Sequence, residues 1–220
     1  NNNLALMLDS IISRGPDDFG MWTCDNNQVA LGHRRLAILD LSPSGHQPMK
    51  SASHRYVLVF NGEIYNHLAL KNELEMIRPH SWNGHSDTEV VLSSFDAWGI
   101  EETVNKLIGM FAFAVWDLKD KVLTLGRDRM GEKPLYFGWQ KDTFVFGSEL
   151  KALKTHPDFC AEIDKKALAL YMRHGCVPGA HAIYLGIQKL LPGYLASILL
   201  STRKVKYVQY WSAHEVAQFG

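Results

Sequence analysis

Cysteine is scarce in this sequence, and long apolar runs and an excess of either charge are absent. The three cysteines, Cys24, Cys160 and Cys176, are far apart, so they form neither a disulfide framework nor the spacing of metal ligands. A reducing cytoplasm is therefore predicted, and no metal site is. No apolar run approaches the length of a membrane-spanning helix. Lysine plus arginine (23) equals aspartate plus glutamate (23), which favours neither nucleic acid nor an anionic membrane as a partner.

The familiar catalytic motifs are also missing. The sequence has no Gly-x-Gly-x-x-Gly, no P-loop, no Gly-x-Ser-x-Gly and no His-Glu-x-x-His. The ten histidines are scattered, and none is assigned as a base because a lone histidine near a turn is more often a surface or capping residue. The cysteines are interpreted as small packing side chains. Any chemistry must therefore reside in other polar residues.

Hydrophobic periodicity divides the chain into short strands and amphipathic helices. A helix is predicted over residues 4–12, and strand-type runs follow at 21–24, 29–33, 35–40 and 56–60. Ser86 and Glu89 have the spacing of a capping box before a helix that Gly99 stops. Two groups of strands with helices between and after them predict a layered α+β fold rather than strict βαβ alternation.

The pair Asn61-Gly62 follows the apolar run 56–60, and an Asn-Gly pair at that point predicts a sharp turn. By itself such a pair is more often a strand-to-helix turn with an asparagine cap. The functional alternative is an oxyanion site, because the asparagine amide and an adjacent backbone N–H are two donors side by side. Gly62 would also allow a ligand to approach the backbone closely.

Three charged residues, one of them next to this pair, have the chemistry to bind an α-amino acid. Arg35 can hold a carboxylate with two parallel hydrogen bonds. Glu63 and Asp87 can hold the ammonium group, although Asp87 in the first turn of a helix is also explained by the helix dipole alone. Asn61 and Gly62 would then face the side-chain carbonyl of the bound amino acid.

An ordered series of motifs carries a resemblance to a known family. The motifs are RGPDD at 14–18, HRRLAILD at 33–40, GHQP at 45–48, NGEIYNH at 61–67, SDTE at 86–89, GMFAFA at 109–114, RDRMGEKPLY at 127–136 and SELKAL at 148–153. The chain resembles the glutaminase domain of glutamine-hydrolysing asparagine synthetases, which are class II glutamine amidotransferases. The related glutaminases of sugar-phosphate aminotransferases share SDTE but lack the 127–136 block.

The resemblance implies a fold and a domain organisation. The fold is the four-layer αββα sandwich of the N-terminal-nucleophile hydrolases. Residues 1–211 would form the amidotransferase domain, and residues 212–220 would begin a linker to a synthetase domain that this sequence does not contain. No cofactor is expected in the amidotransferase domain, whereas ATP and magnesium are expected in the synthetase domain. L-Glutamine and the synthetase domain are the expected partners, and a homodimer is a further expectation.

The resemblance also implies a mechanism and a set of site residues. An N-terminal cysteine thiolate attacks the glutamine amide while its own α-amino group moves the proton. The oxyanion forms against the Asn61 side chain and the Gly62 backbone, and ammonia then passes to the ATP-dependent amidation of aspartate. The other substrate-binding residues implied are Arg35 for the carboxylate, Glu63 and Asp87 for the ammonium group, and the backbone of Leu36, Ala37, Ile38 and Leu39 along the pocket.

The nucleophile itself does not match. The family pattern puts it at the start of the mature chain, in a strand similar to Cys-Gly-Ile-Ala-Gly ahead of the 14–18 motif, and the sequence has no such segment. An internal cysteine cannot replace it, because an internal residue has no free α-amine. The expectation is that this segment belongs to the native protein and that residues 1–220 are inactive without it. Two alternatives stay open: a non-catalytic amino-acid-binding or scaffold domain, and an acceptor other than aspartate.

Overall fold

The computed structural model describes residues 2–25, 28–37 and 42–219. The helices are α1 (Asn2–Asp9), α2 (His67–Ile77), α3 (Asp87–Trp98), α4 (Ile100–Lys106), α5 (Leu150–Lys154), α6 (Lys165–His174) and α7 (Ala213–Phe219). The strands are β1 (Asp18–Thr23), β2 (Ala30–Arg35), β3 (Met49–Lys50), β4 (Tyr56–Ile64), β5 (Gly109–Asp117), β6 (Val122–Arg127), β7 (Tyr136–Gln140), β8 (Thr143–Gly147), β9 (Ile187–Lys189), β10 (Tyr194–Leu199) and β11 (Lys204–Gln209). Single 3-10 turns cover Ile12–Arg14 and Pro43–Gly45.

The strands form one large and two small antiparallel sheets. The large sheet has the order β11-β10-β6-β5-β4-β3, and the small sheets have the orders β1-β2 and β8-β7-β9. Hairpin connections join most neighbouring strands, which is the pattern of an α+β protein rather than of parallel βαβ units.

The central strands of the large sheet are covered on both faces, which explains why their sequences are continuously apolar. On β4, Leu58 and Phe60 pack with α2, α3 and α4, whereas Val57 and Val59 pack against the small sheets. Helices α1 and α5 lie outside the small sheets, where Val145 of β8 belongs to a third cluster. The layers are therefore helix, sheet, sheet and helix, as the sequence predicted.

Several local signals act as predicted, and others do not. Ser86 caps α3 by accepting the Thr88 N–H, and Gly99 ends this helix with a φ of 81°. The reciprocal half of the predicted capping box is wrong, because the Glu89 carboxylate accepts the N–H groups of Asn83 and Gly84 in the preceding loop. Glu89 therefore fixes that loop to the helix.

Two predicted elements have different bounds. The first helix, α1, ends at Asp9, before the separate 3-10 turn at Ile12–Arg14. The strand predicted over 35–40 is wrong where it can be checked: Arg35 closes β2, and residues 36 and 37 have no regular structure. The rest of that prediction lies outside the described residues. No helix within 2–25, 28–37 and 42–219 combines the length and apolarity needed to cross a membrane.

Candidate active site

The predicted turn at Asn61-Gly62 is wrong, because β4 continues through both residues to Ile64. Asn61 lies opposite Ala112 and Gly62 opposite Phe111 in the register with β5. A Cβ added to Gly62 would overlap the carbonyl oxygen of Met110 on β5. Glycine is thus required at position 62 by the close approach of the neighbouring strand rather than by a turn.

The hydrogen-bond alternation of the β4–β5 pair shows where the Gly62 backbone points. At one end of the register the Leu118 N–H donates to the Arg55 carbonyl, and at the other end the Tyr65 N–H donates to the Ile108 carbonyl. Positions 55 and 65 are therefore hydrogen-bonded positions of the ladder. Bonded and non-bonded pairs alternate in an antiparallel ladder. Position 62 is an odd number of residues from both of these positions, so Gly62 and Phe111 form a non-bonded pair. The Gly62 N–H consequently faces away from β5, toward the opposite edge of β4.

Two side chains cover that edge on either side of Gly62. The Gln47 amide accepts the Phe60 N–H at 2.6 Å and donates to the Phe60 carbonyl at 3.2 Å. The Asp87 carboxylate accepts the Ile64 N–H at 2.8 Å. Between them, the Gly62 N–H has no acceptor among the described residues. One donor is therefore left open in an otherwise satisfied strand edge.

The Asn61 side chain provides a second open donor beside it. Its Nδ2 is buried and has no hydrogen-bond partner in the described part of the chain. A buried donor without a partner costs about 1–3 kcal/mol, so such groups are rare outside functional sites. Two neighbouring open donors form a site that can stabilise a developing negative charge.

Asn61 lies at one end of a long cavity between the small sheets. A cavity of about 620 Å³ is bounded by β2 and β8, with Leu4 and Leu8 of α1 above it and Val59 and Asn61 of β4 below. It adjoins a second cavity of about 840 Å³, and Ala30, Thr143, Phe144 and Phe146 line both. We call these two adjoining cavities the interstrand slot. Among the described strands, β2 pairs only with β1 and β8 only with β7, so each presents an unpaired edge to the slot.

Arg35 lies at the end of β2, where a neighbouring segment holds its guanidinium. Its Nη1 donates to the Ser42 carbonyl at 2.9 Å. A Cβ at Gly45 would overlap the guanidinium, so a glycine at 45 makes room for it. Of the predicted pocket backbone, Leu36 is 56% exposed, and the Ala37 N–H is bonded to Asp17. The predicted Ile38 and Leu39 lie outside the described residues.

The two predicted ammonium-binding residues are within electrostatic range of each other. Burial raises the pKa of Asp87, the hydrogen bonds from the Ile64 and Thr88 N–H groups and the nearby His67 oppose this, and the Glu63 carboxylate adds a smaller upward effect. The Glu63 carboxylate has no hydrogen bond or ion pair with any described residue. An ammonium group between these carboxylates would relieve their repulsion.

Asp87 also has a structural role that the sequence did not indicate. Its Oδ2 accepts the Ile64 N–H and its Oδ1 accepts the Thr88 N–H, both at 2.8 Å. Each carboxylate oxygen can accept a further hydrogen bond, so this role leaves room for a substrate. Asp87 therefore joins the end of β4 to the start of α3.

A hydrogen bond links the Arg35 side of the site to the Asp87 side. The Ser44 hydroxyl, next to the Arg35 contacts, donates to the Asn83 carbonyl at 3.0 Å, in the loop that leads to Asp87. The segment 42–48 and the loop 83–86 therefore border the same edge of β4 as the open Gly62 N–H. The contacts of Arg35 and of Asp87 thus meet at this edge of β4, beside Asn61, Gly62 and Glu63, and the individual roles of these residues remain predictions.

His33 is a potential functional residue that sequence reasoning left unassigned. It shares with Leu31 and Arg35 the face of β2 toward the large sheet, and it lines the slot together with Asn61. Burial, followed by the charge of Arg35, lowers the pKa of His33 to about 4, against the opposing effect of Asp18. The two-residue spacing from Arg35 in a strand was the available signal.

We expect His33 to make the domain less stable in mild acid. Its folded-state pKa of about 4 is below the ordinary 6.5, so the unfolded chain takes up the proton first as pH falls. The free energy of unfolding should therefore fall by up to about 3 kcal/mol between pH 7 and pH 4 from this group. Denaturant titrations of the unsubstituted protein and of His33→Gln should show this difference. His214→Gln, at an exposed position, is the control. The prediction is contradicted if the free energy of unfolding of His33→Gln falls with pH as steeply as that of the unsubstituted protein.

The 127–134 loop, which belongs to the longest of the sequence motifs, is organised by a buried carboxylate. Asp128 is 0% exposed. Its Oδ1 accepts the N–H groups of Met130 and Glu132, and its Oδ2 accepts those of Phe111 and Lys133. This arrangement attaches the loop to the start of β5, close to the open donors.

Comparisons with known proteins agree with this geometry. The family described as "Glutamine amidotransferase domain" matches residues 1–211. Asparagine synthetase [glutamine-hydrolyzing] 3 from Bacillus subtilis is 38% identical over 210 residues, which is 94% of this chain and 33% of that protein. Putative asparagine synthetase [glutamine-hydrolyzing] 2 from Methanocaldococcus jannaschii is 35% identical over 223 residues, which is 93% of this chain and 42% of that protein. The chain thus spans about a third to two fifths of the length of these relatives.

The fold also matches a solved structure. Glutamine phosphoribosylpyrophosphate amidotransferase from B. subtilis, in complex with ADP and GMP, superposes with a TM-score of 0.71 at 20% identity. The match covers 96% of this chain and 46% of that one. This likeness confirms the predicted N-terminal-nucleophile hydrolase architecture. The family match over residues 1–211 shows that this chain belongs to the glutamine amidotransferase domain family.

Proposed function

We propose that this chain is the glutaminase part of a glutamine-hydrolysing asparagine synthetase. The observation that carries the proposal is the pair of open donors, Asn61 Nδ2 and the Gly62 N–H, at the edge of a strand whose neighbouring groups are satisfied. Hydrolysis of an amide passes through a tetrahedral oxyanion, which needs two such donors. The relatives are named as glutamine-hydrolysing enzymes, so the proposed substrate is L-glutamine.

The substrate is proposed to lie along the edge of β4, with its side-chain amide at Asn61 and Gly62. Arg35 holds its α-carboxylate, since a guanidinium forms parallel hydrogen bonds to a carboxylate. Glu63 and Asp87 hold its ammonium group, and the backbone of 36–39 lines the pocket. Recognition of both charged groups selects a free amino acid over a glutamine residue within a peptide.

The nucleophile is proposed to be a cysteine on a strand that occupies the interstrand slot. Two unpaired strand edges border this slot, and an additional strand between β2 and β8 would satisfy both. The indole N–H groups of Trp116 and Trp139 support this, because both residues line the slot and both N–H groups are buried without a partner in the described chain. Together with Asn61, three unsatisfied donors border this one space.

The proposed reaction follows from these positions. The thiolate attacks the amide carbon, and the electron pair of the C=O bond moves to the oxygen held by Asn61 and Gly62. The intermediate collapses with cleavage of the C–N bond, and the leaving nitrogen takes a proton from the α-ammonium group of the cysteine and departs as ammonia. Water then cleaves the thioester to give glutamate and restore the thiol. The ammonia is proposed to amidate aspartate in a synthetase region that binds ATP and magnesium outside this chain.

Substitution of Arg35 tests the substrate assignment. Arg35→Gln should raise the KM for glutamine hydrolysis by roughly 10–100-fold in the full-length protein, because a charged hydrogen-bonding pair contributes about 1.5–3 kcal/mol. Release of glutamate and ammonia is the measurement. Arg34→Gln is the matched control, since Arg34 bonds instead to the Leu8 carbonyl and Asp9 on the other side of β2.

Three other outcomes would contradict the proposal in different ways. An unchanged KM in Arg35→Gln would reject the carboxylate assignment. Binding of glutamine without hydrolysis in the unsubstituted full-length protein would indicate a non-catalytic amino-acid-binding domain. Glutamine hydrolysis that persists after serine replaces a cysteine at the start of the mature chain would reject the proposed nucleophile.

A further inference from the structure

The short strand β3 covers part of the edge of β4 that carries the open Gly62 N–H. The two strands are antiparallel, and just beyond β3 the Ser51 N–H donates to the Tyr56 carbonyl at 2.9 Å. Residues 51 and 56 are therefore a hydrogen-bonded pair, and such pairs recur at every second residue of an antiparallel ladder. Three bonded pairs further on, toward the start of the chain, the main chain of residue 45 would bond to Gly62.

The chain does not follow this course, because a side chain replaces the main chain at residue 47. Its Oε1 accepts the Phe60 N–H at 2.6 Å, and its Nε2 donates to the Phe60 carbonyl at 3.2 Å. An amide that exchanges both bonds with one residue reproduces the pairing of a strand peptide. Gln47 is only 6% exposed, so little water competes for these bonds. The ladder therefore ends on a side chain, and the main chain of Gln47 stays one side-chain length from β4.

The main chain at residues 45–47 lies against other parts of the site instead. A Cβ added to Gly20 of β1 would overlap the Gln47 carbonyl oxygen, and a Cβ added to Gly45 would overlap the Arg35 guanidinium. Glycine at both positions permits this close packing. Residue 45, which a continued ladder would have bonded to Gly62, is thus placed beside Arg35.

The path of this segment is fixed by further contacts. The Gly45 N–H donates to the Ser42 carbonyl at 3.3 Å within a single 3-10 turn. His46 Nδ1 lies 2.7 Å from the Asp18 carboxylate on β1. Neither contact involves β4, so the bonds of Gln47 are what join the segment to that strand.

We propose that Gln47 is a positioning residue of the oxyanion site, whose amide ends the β3–β4 ladder one bonded pair before Gly62 and so keeps the Gly62 N–H open. The inference rests on the proposed function and adds the residue that creates its second donor. Because both polar groups of Phe60 are held, β4 is fixed directly before Asn61, which orients the Asn61 amide as well. Gln47 acts through β4 and does not contact the substrate.

The opening that results has the size of a small-molecule site. Asp87 bonds to the Ile64 N–H, so the open edge extends from Phe60 to Ile64, which is about 13 Å at the usual rise of a strand. A main chain continuing at the usual strand spacing of about 4.8 Å would fill this opening and take the Gly62 N–H. Gln47 thus separates a closed sheet edge from a binding site.

The first test is the effect of Gln47→Leu on glutamine hydrolysis by the full-length protein. The kcat should fall by roughly 10–100-fold, because a small displacement of a catalytic group can cost about 10²-fold. The KM should change by less than about threefold, since the contacts of Arg35 lie in the 42–45 turn and not at Gln47. A rise in KM with unchanged kcat would overturn the inference.

Gln140→Leu is the matched control, because Gln140 is an equally buried glutamine that lies away from the site. It is 3% exposed, accepts the Cys160 N–H at 2.7 Å and donates to the Leu185 carbonyl at 2.9 Å. Both leucine variants should lower the melting temperature, but Gln140→Leu should leave kcat within about twofold of the unsubstituted value. Equal losses of kcat in the two variants would show that Gln47 is only structural.

A second variant decides the question if Gln47→Leu does not fold. Gln47→Glu keeps the shape of the side chain and the acceptor for the Phe60 N–H, and it replaces the donor to the Phe60 carbonyl by a carboxylate oxygen. Its kcat should fall by about tenfold with KM nearly unchanged, because a misaligned strand affects the transition state more than substrate binding. An unchanged kcat in folded Gln47→Glu would overturn the inference.

Amide hydrogen exchange in the full-length protein tests the open edge without any activity. The Gly62 amide should exchange at least about tenfold faster than those of Phe60 and Ile64, which have acceptors. In Gln47→Glu, exchange should become faster at Phe60 and stay unchanged at Ile64. Slow exchange at Gly62 in the unsubstituted protein overturns the inference even if glutamine is hydrolysed. Absence of glutamine hydrolysis overturns the proposed function, and the exchange pattern then decides the role of Gln47 alone.

Discussion

Asn61→Ala should lower the kcat of glutamine hydrolysis by about 10²–10³-fold in the full-length protein, with KM changed by only a few-fold. Removal of a single oxyanion donor has an effect of this size in amide-hydrolysing enzymes. The reason for the selective effect on kcat is that Nδ2 is matched to a charge that exists only in the transition state. Steady-state release of glutamate is the measurement.

The same substitution should not destabilise the domain. Asn61 Nδ2 has no partner in the described chain, so its removal also removes the penalty of a buried, unsatisfied donor. Asn66→Ala is the matched control. The Asn66 amide donates to the Lys106 carbonyl and accepts the Ile108 N–H, both at 2.9 Å, so its loss should lower the melting temperature with little effect on kcat.

A comparison of Asn61→Ala with Asn66→Ala can also contradict the assignment of Asn61 as an oxyanion donor. If Asn61→Ala lowers the melting temperature and kcat to the same degree as Asn66→Ala, the asparagine is a structural residue. The oxyanion site would then reduce to the Gly62 N–H. Opposite patterns in the two variants are the expected result.

Asp128→Ala should lower the free energy of unfolding by at least about 3 kcal/mol. It leaves four backbone N–H groups without their acceptor, and each unsatisfied buried donor costs about 1–3 kcal/mol. Water entering the site would reduce the sum, which is why the expected loss is below the full total. Denaturant unfolding followed by tryptophan fluorescence is the measurement.

An exposed carboxylate provides the control for this substitution. The Asp142 side chain is 91% exposed and forms an ion pair with Arg203, so Asp142→Ala should change the free energy of unfolding by less than about 1 kcal/mol. Equal effects in the two variants would contradict the assignment of Asp128 as the organiser of the 127–134 loop.

The order of helices and strands could be predicted because short-range patterns dominate it. The strand runs that became β1, β2 and β4, the Ser86 cap and the Gly99 stop depend on residues that are close in the chain. The α+β class followed from the same patterns, and the four-layer fold followed from the series of motifs. Those predictions are confirmed.

The errors occurred where distant residues decide the outcome. Asn61-Gly62 favours a turn by local preference, but nine paired positions with β5 keep β4 extended through it. Glu89 has the spacing of a capping box, yet it bonds to the N–H groups of the preceding loop. The lowered pKa of His33 has only its two-residue spacing from Arg35 as a local signal, because burial, its largest cause, depends on how the elements pack.

The sequence by itself determined the candidate residues: the amide at 61, the glycine at 62, and the charges at 35, 63 and 87. These follow from side-chain chemistry and from the order of motifs, both of which are local to the chain. Only the tertiary structure decided which donors stay open. Gln47 and Asp87, from separate segments, satisfy Phe60 and Ile64 and leave Gly62 between them. The physical reason is that hydrogen-bond satisfaction depends on which groups meet in space, and most of those groups are far apart in the sequence.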